Sequence, residues 1–163
     1  MIPAVQTYTL RPVAFVHGGR SDVIDDFWGG TRVTIELAAD VPAESLDGID
    51  EFSHAEILFV FDRLPAEQCV AGARHPRNNP AWPRVGIFAQ RAKLRPNRLG
   101  ATMVRIVART ARELVVEGLD AIDGTPVVDI KPVFAEFLPR GDVRQPAWTH
   151  EMMREYWAKG GDR

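Results

Sequence analysis

Arg84-Val85-Gly86-Ile87-Phe88-Ala89-Gln90-Arg91-Ala92-Lys93-Leu94-Arg95-Pro96-Asn97-Arg98-Leu99-Gly100 opens apolar and turns abruptly basic. Val85 to Ala89 reads as a short strand. Arg91, Lys93, Arg95 and Arg98 then fall within eight residues. Pro96-Asn97 signals a turn, because proline presets one backbone dihedral and asparagine tolerates the left-handed region. Gly100 reads as a further backbone-demanding position. From Ala101 to Val107 the residues alternate as in another strand. The unit is strand, cationic loop, strand. Rigid strands that hold the ends of such a loop suit it to clamp an anion or a polar ligand. A solvated hairpin loop carries the same charge pattern equally well.

The flanks repeat the strand pattern. Tyr8 to Val16 carries β-formers and a proline, which suits a first or edge strand. Thr31 to Leu37 alternates as a half-buried strand. Ala55 to Phe61 is apolar except for Glu56, and so short a run suits a central strand better than a helix. Ala101 to Ala108 and Glu113 to Leu119 give two more strands, with Val104, Ile106, Val115 and Leu119 expected toward the core. Between them lie turn signals: His17 to Asp22 with two glycines, one helical turn from Val41 to Leu46 with Pro42 first, and Asp47-Gly48. Asp62 to Arg84 is a long polar loop with prolines at 65, 76, 80 and 83. It adds Arg74, Arg77 and Arg84 to the basic surface. Val133 to Arg144 is irregular. Pro146 to Lys159 reads as a helix, with Trp148, Met152, Tyr156 and Trp157 near one face as a docking stripe. About seven short strands with turns between them predict a mainly β fold, a small barrel, rather than βαβ units.

Bulk properties narrow the function. A chain of 163 residues fits a single domain. The net charge of −2 leaves no global polycation, so nucleic acid would have to be held by a local patch. The lone Cys69 excludes an intrachain disulfide. Met1 to Gln6 does not read as a signal peptide, and no stretch approaches the ~20 apolar residues that span a bilayer. A cytoplasmic protein is expected. No G-x-G-x-x-G, Walker loop, H-E-x-x-H or C-x-x-C is present. The histidines at 17, 54, 75 and 150 are scattered, and Asp120, Asp123 and Asp129 do not match an EF-hand spacing, so no metal site is expected.

Three stretches carry a family resemblance. Phe88-Ala89-Gln90-Arg91 with Arg95-Pro96-Asn97-Arg98-Leu99-Gly100 resembles the F-A-T-R-S-x-F-R-P-N-P-I-G signature of the TsaA/TrmO-like family. Asp120-Ala121-Ile122-Asp123-Gly124-Thr125-Pro126-Val127-Val128-Asp129-Ile130-Lys131-Pro132 is similar to its D-x-x-D-G-T-P-V-x-D-I-K-P-Y signature. Phe52-Ser53-His54 and Ile57 to Phe61 resemble F-S-H-x-x-I-L-F-V-F. Gln90, Ala92, Leu94, Arg98 and Val133 depart from the pattern. The resemblance covers roughly residues 8 to 135. It implies a β-barrel, followed here by an extension over about residues 146 to 160.

What the resemblance implies is a methyltransferase that uses S-adenosylmethionine. The implied acceptor is N6 of threonylcarbamoyladenosine beside the anticodon of tRNA, and the implied assembly is a homodimer with the cofactor near its interface. The expected partner is tRNA rather than DNA or a membrane. The cofactor's carboxylate needs a cation or backbone donors, its ribose diol needs acceptors, and its sulfonium favours negative or carbonyl-rich surroundings. By resemblance His54, Arg91, Gly100, Leu119 and Asp120 belong to the cofactor site, with Asp123 a second acceptor. Arg95 or Lys131 would pair with the threonyl carboxylate or a phosphate. Asp123, Asp129 and Lys131 are the titratable candidates for a base, with no choice among them, and Asp129 with Lys131 reads equally well as a structural ion pair. A cofactor-binding sensor or RNA-binding module without turnover, and a small-molecule methyltransferase, are the alternatives.

Overall fold

The computed structural model describes residues 6–160. Most of the Met1 to Gln6 stretch therefore lies outside the described residues. Among the described residues eight strands run in chain order: β1 (Ala14–His17), β2 (Arg32–Leu37), β3 (His54–Val60), β4 (Ala73–Arg74), β5 (Val85–Gly86), β6 (Leu99–Arg109), β7 (Glu113–Glu117) and β8 (Pro126–Pro132). Six of them close a barrel in the order β1-β2-β7-β6-β3-β8, while β4 and β5 form a separate two-stranded ribbon. Every barrel seam is antiparallel. Closure pairs each strand on both sides, which removes the exposed edges of an open sheet.

Period-two patterning fills the barrel. Val33, Ile35 and Leu37 of β2, Ala55, Ile57 and Phe59 of β3, and Leu114 and Val116 of β7 all point inward and are buried. β-branched residues supply much of this lining, and their stiff side chains pack well on a pleated surface. Full burial of a ring such as that of Phe59 stabilises by about 1.5–3 kcal/mol relative to exposure.

β6 serves two partners. Its first part pairs with β3 from Leu99 to Arg105, and its last part pairs with β7 from Arg105 to Arg109. A bulge between Ile106 and Ala108 bends the strand where it changes partner. The expected inward set needs correction here. Val104 is buried, but Val115 is not: Leu114 and Val116 take the core positions of β7. Leu119 is buried because β7 ends at Glu117 and Gly118, at φ +89°, resets the phase before it.

Gly100 is required for space. Its φ lies outside the left-handed region, but it pairs with Phe59, and an added Cβ would stand 2.4 Å from Phe59 Cζ. Gly100→Ala should cost about 1–3 kcal/mol, the usual penalty for overpacking a core. Phe59→Leu in the same chain should return part of it, as read by urea denaturation.

Three further expectations change. β1 begins at Ala14, not at Tyr8. The apolar run from Val85 is a strand only to Gly86, after which Ile87–Ala89 forms a 3-10 turn with Ile87 buried. The C-terminal helix α1 spans only Ala147–Met152. Beyond it the chain extends across an earlier segment: the carbonyls of Glu155, Tyr156 and Ala158 accept the amides of Phe27, Trp28 and Gly29. Among the described residues no helix is long and apolar enough to cross a membrane.

Candidate functional site

The basic loop that follows β5 and the acidic turn that follows β7 meet at one end of the barrel. Between them lies a cleft of about 990 Å³. Its floor includes Phe59 and Thr102 from the strands, and its walls include Trp28, the basic loop, the turn from Asp120 to Ile122, and Tyr156 of the C-terminal segment. A cleft of this size, largely apolar with a few convergent polar groups, suits a nucleotide-sized ligand.

Arg91 and Asp120 come together through β6. The Arg91 guanidinium donates to the carbonyl of Ala101. The hydroxyl of the next residue, Thr102, donates to Asp120 Oδ1. The Tyr156 phenol donates to Asp120 Oδ2. Burial first, and then the Asp120 carboxylate, pushes the Tyr156 phenol far above its usual pKa, so it stays a donor. A guanidinium and an oriented carboxylate thus line the same cleft.

The cleft is electropositive. Arg63, Arg74, Arg77, Arg91, Lys93 and Arg95 line it, against Asp25, Asp62 and Asp120. Arg63 donates to the carbonyl of Asp123, and Arg95 to that of Gln90. Bonds to carbonyls orient these cations without neutralising them. Two others are paired: Lys93 with Asp25 at 2.8 Å, while Arg77 grips Asp26 through two bonds of 2.9 and 2.7 Å, which raise its pKa. The grip ties the proline-rich loop to the segment carrying Trp28. Arg20 reinforces that segment, donating to the carbonyls of Asp26 and Ile24 and stacking 3.4 Å over the Trp28 ring.

Backbone strain concentrates at the same place. Pro76 is followed by Arg77 and Asn78 at φ +48° and +57°, and Pro96 by Asn97 and Arg98 at φ +64° and +51°. Each such non-glycine position costs about 1–2 kcal/mol. Residues of both turns line the cleft. Strain of this kind persists where the surroundings over-determine it, characteristically at binding sites.

Of the residues singled out from the sequence, Arg91, Arg95, Gly100 and Asp120 line the cleft. Leu119 is wholly buried in the core, with the cleft wall starting one residue later. His54 is not brought in. It opens β3 at the end opposite Phe59, is exposed, and shares a hydrogen bond with Ser53. Lys131 is also outside: it is exposed on β8 and paired with Asp129, whose hydrogen bond raises its pKa. Asp129 faces a second, smaller depression beside Val13 and Phe52. Asp123 anchors a loop through its Oδ1, which accepts the amide of Gly18 at 3.0 Å. Tyr156 and Trp28 are cleft residues that the sequence placed elsewhere or left unassigned. For Tyr156 the one signal is the aromatic spacing near the C-terminus, which reads first as a helix stripe.

The family described as the tRNA-methyltransferase O N-terminal domain matches residues 26–137. A human tRNA (adenine(37)-N6)-methyltransferase is 39% identical over 105 residues, 64% of this chain and 23% of that protein. A Pyrococcus abyssi protein named "Probable S-adenosyl-L-methionine-binding protein" is 37% identical over 148 residues, 82% of this chain and 72% of its own length. The crystal structure of TrmO from Pseudomonas aeruginosa superposes with a TM-score of 0.71 at 27% identity, over 88% of this chain and 62% of that one. The chain spans 22–26% of the length of its mammalian relatives.

Proposed function

Because the chain belongs to the tRNA-methyltransferase O N-terminal-domain family, we propose that its cleft holds S-adenosylmethionine and that it methylates tRNA. The acceptor in this reading is N6 of a threonylcarbamoyladenosine beside the anticodon. The observation that carries it is the meeting of Arg91 and Asp120 in one electropositive cleft.

The residues present fit the cofactor. Asp120 accepts one bond on each oxygen and retains acceptor capacity for a ribose diol. Arg91 supplies the cation for the methionine carboxylate. Among the described residues, Arg74 Nε and Gln90 Oε1, on residues that line the cleft, are buried without a hydrogen-bond partner. When bound, S-adenosylmethionine supplies a methyl group on a positively charged sulfur. The chain's own part is alignment and exclusion of water, which is the larger share of such a transfer. Phe59 and Trp28 make the apolar surfaces, and Arg63 and Arg95 offer donors to a phosphate or the threonyl carboxylate. Lys131 and Asp129, paired to each other, are left without a role, as is His54. Leu119 acts only through the core that seats the acidic turn.

A homodimer with the cleft near its interface belongs to this reading, as does a cytoplasmic setting, where tRNA is met. Phe88, at 77% exposure on the cleft's rim, is the surface a second copy would cover. The test is incubation of the purified protein with S-adenosylmethionine and threonylcarbamoylated or unmodified tRNA, followed by mass analysis of digested nucleosides, with light scattering on the same sample. One added methyl on the threonylcarbamoylated adenosine is expected, from a dimer. Affinity for tRNA should fall steeply as salt rises, since each phosphate contact releases counterions. Cofactor binding without methyl transfer would mark a sensor, and transfer insensitive to tRNA would mark a small-molecule enzyme.

A further inference from the structure

The cleft has a wall that lies beyond the family match. That match ends at residue 137. Met152, Met153, Tyr156 and Trp157 nevertheless line the cleft. This strap is held by its backbone: Phe27, Trp28 and Gly29 donate their amides to Glu155, Tyr156 and Ala158 at 3.0, 2.8 and 3.2 Å.

From this strap we propose that Tyr156 is a positioning residue. Its phenol, together with Thr102, fixes the Asp120 carboxylate so that the remaining lone pairs take the two neighbouring hydroxyls of a ribose. An ionised carboxylate offers about four lone-pair sites on its two oxygens. Thr102 uses one on Oδ1 and Tyr156 one on Oδ2. Each oxygen so keeps acceptor capacity, and the two adjacent oxygens of one carboxylate match the two O–H donors of a vicinal diol. A carboxylate with only one of its donors would rotate about its terminal bond and lose the match. The Tyr156 ring itself is secured by edge contact with Trp157, with centroids 5.0 Å apart. Removing only the hydroxyl therefore leaves the wall in place. The inference rests on the reading that Asp120 holds the cofactor's ribose.

Calorimetry on the intact protein with S-adenosylhomocysteine and its 2′-deoxyribose analogue tests it. The wild type should prefer the ribose compound by about tenfold or more, the worth of a hydrogen bond to a charged group. Tyr156→Phe should bind the deoxy compound as the wild type does and lose most of the preference, with Thr102→Val acting in the same direction. Asp120→Asn should erase the preference. If Tyr156→Phe weakens both compounds by the same factor while Asp120→Asn erases the preference, Tyr156 is only a wall and the proposal is overturned. If Asp120→Asn keeps the preference, or the wild type has none, the ribose reading of Asp120 fails and the role of Tyr156 fails with it. Melting temperatures of the variants within a few degrees of wild type show that the fold is intact, and Thr102→Val gives an independent arm should Tyr156→Phe not fold.

Discussion

Asp120→Ala should raise the dissociation constant for S-adenosylmethionine about a hundredfold, or about 2–3 kcal/mol. The carboxylate is the meeting point of the cleft's polar groups: Thr102 and Tyr156 both donate to it. Alanine removes the acceptor that the proposed reading gives to the ribose. It also leaves two hydroxyls in a partly closed wall without their acceptor. The electropositive rim, with Arg91 among it, keeps its charge while losing a neutralising partner. Part of the loss should appear without ligand, as about 1–3 kcal/mol of stability, because donors buried without acceptors are costly. Titration calorimetry reads the first effect and denaturant melts read the second. An unchanged affinity would remove Asp120 from the site and leave the cleft without its main acceptor.

Gly29→Ala should detach the C-terminal strap. A Cβ at position 29 would lie 2.0 Å from the carbonyl oxygen of Trp157 and 2.8 Å from its carbonyl carbon. Both are backbone atoms, so no side-chain rotation relieves the clash. The strap has to move as a unit, giving up the three amide bonds to Glu155, Tyr156 and Ala158 and the Tyr156–Asp120 contact. Residues 27–29 lie outside the barrel strands, so the barrel should remain folded. The expected result is fast amide exchange at residues 27–29 and at the strap's own amides, with the strand amides of β3 and β6 still protected. Binding of S-adenosylmethionine should weaken at least tenfold, because one wall of the cleft and one orienting donor are lost together. Retention of slow exchange at residues 27–29 would show that the close approach at Gly29 is not what seats the strap.

Much of the barrel was legible because its strands obey one rule each. Arg32 to Leu37 and His54 to Val60 alternate or run apolar over a strand's length, and both are strands. Local patterns mislead where the rule changes mid-stretch. Val115 would face the core only if one alternation ran through to Leu119, whereas Gly118 breaks the phase in between. The helix expected from Pro146 to Lys159 stops after Met152, and the residues beyond it dock on Phe27 to Gly29, a long-range pairing with no local signal. Motif order singles out Arg91, Arg95, Gly100 and Asp120, and the fold brings all four to one cleft. His54 and Lys131 sit in equally recognisable motifs, yet the chain places them elsewhere: a motif fixes sequence neighbours, and strand direction decides which end of the barrel each reaches.

A hoop of strands has no margin from which to fray, so it can part only by tearing one complete join. Those joins are unequal. β3 meets β6 over seven partnered positions, whereas β1 meets β8 over two. One of those two is Pro126, which has no amide hydrogen to give. Backbone bonds from Val13 to Val127, from Val16 to Thr125 and from Gly124 to Val16, with the Gly18–Asp123 bond, prolong this short join to the root of the turn that carries Asp120. The stitch that finishes the hoop is also the one that governs how readily the ligand-facing turn can loosen.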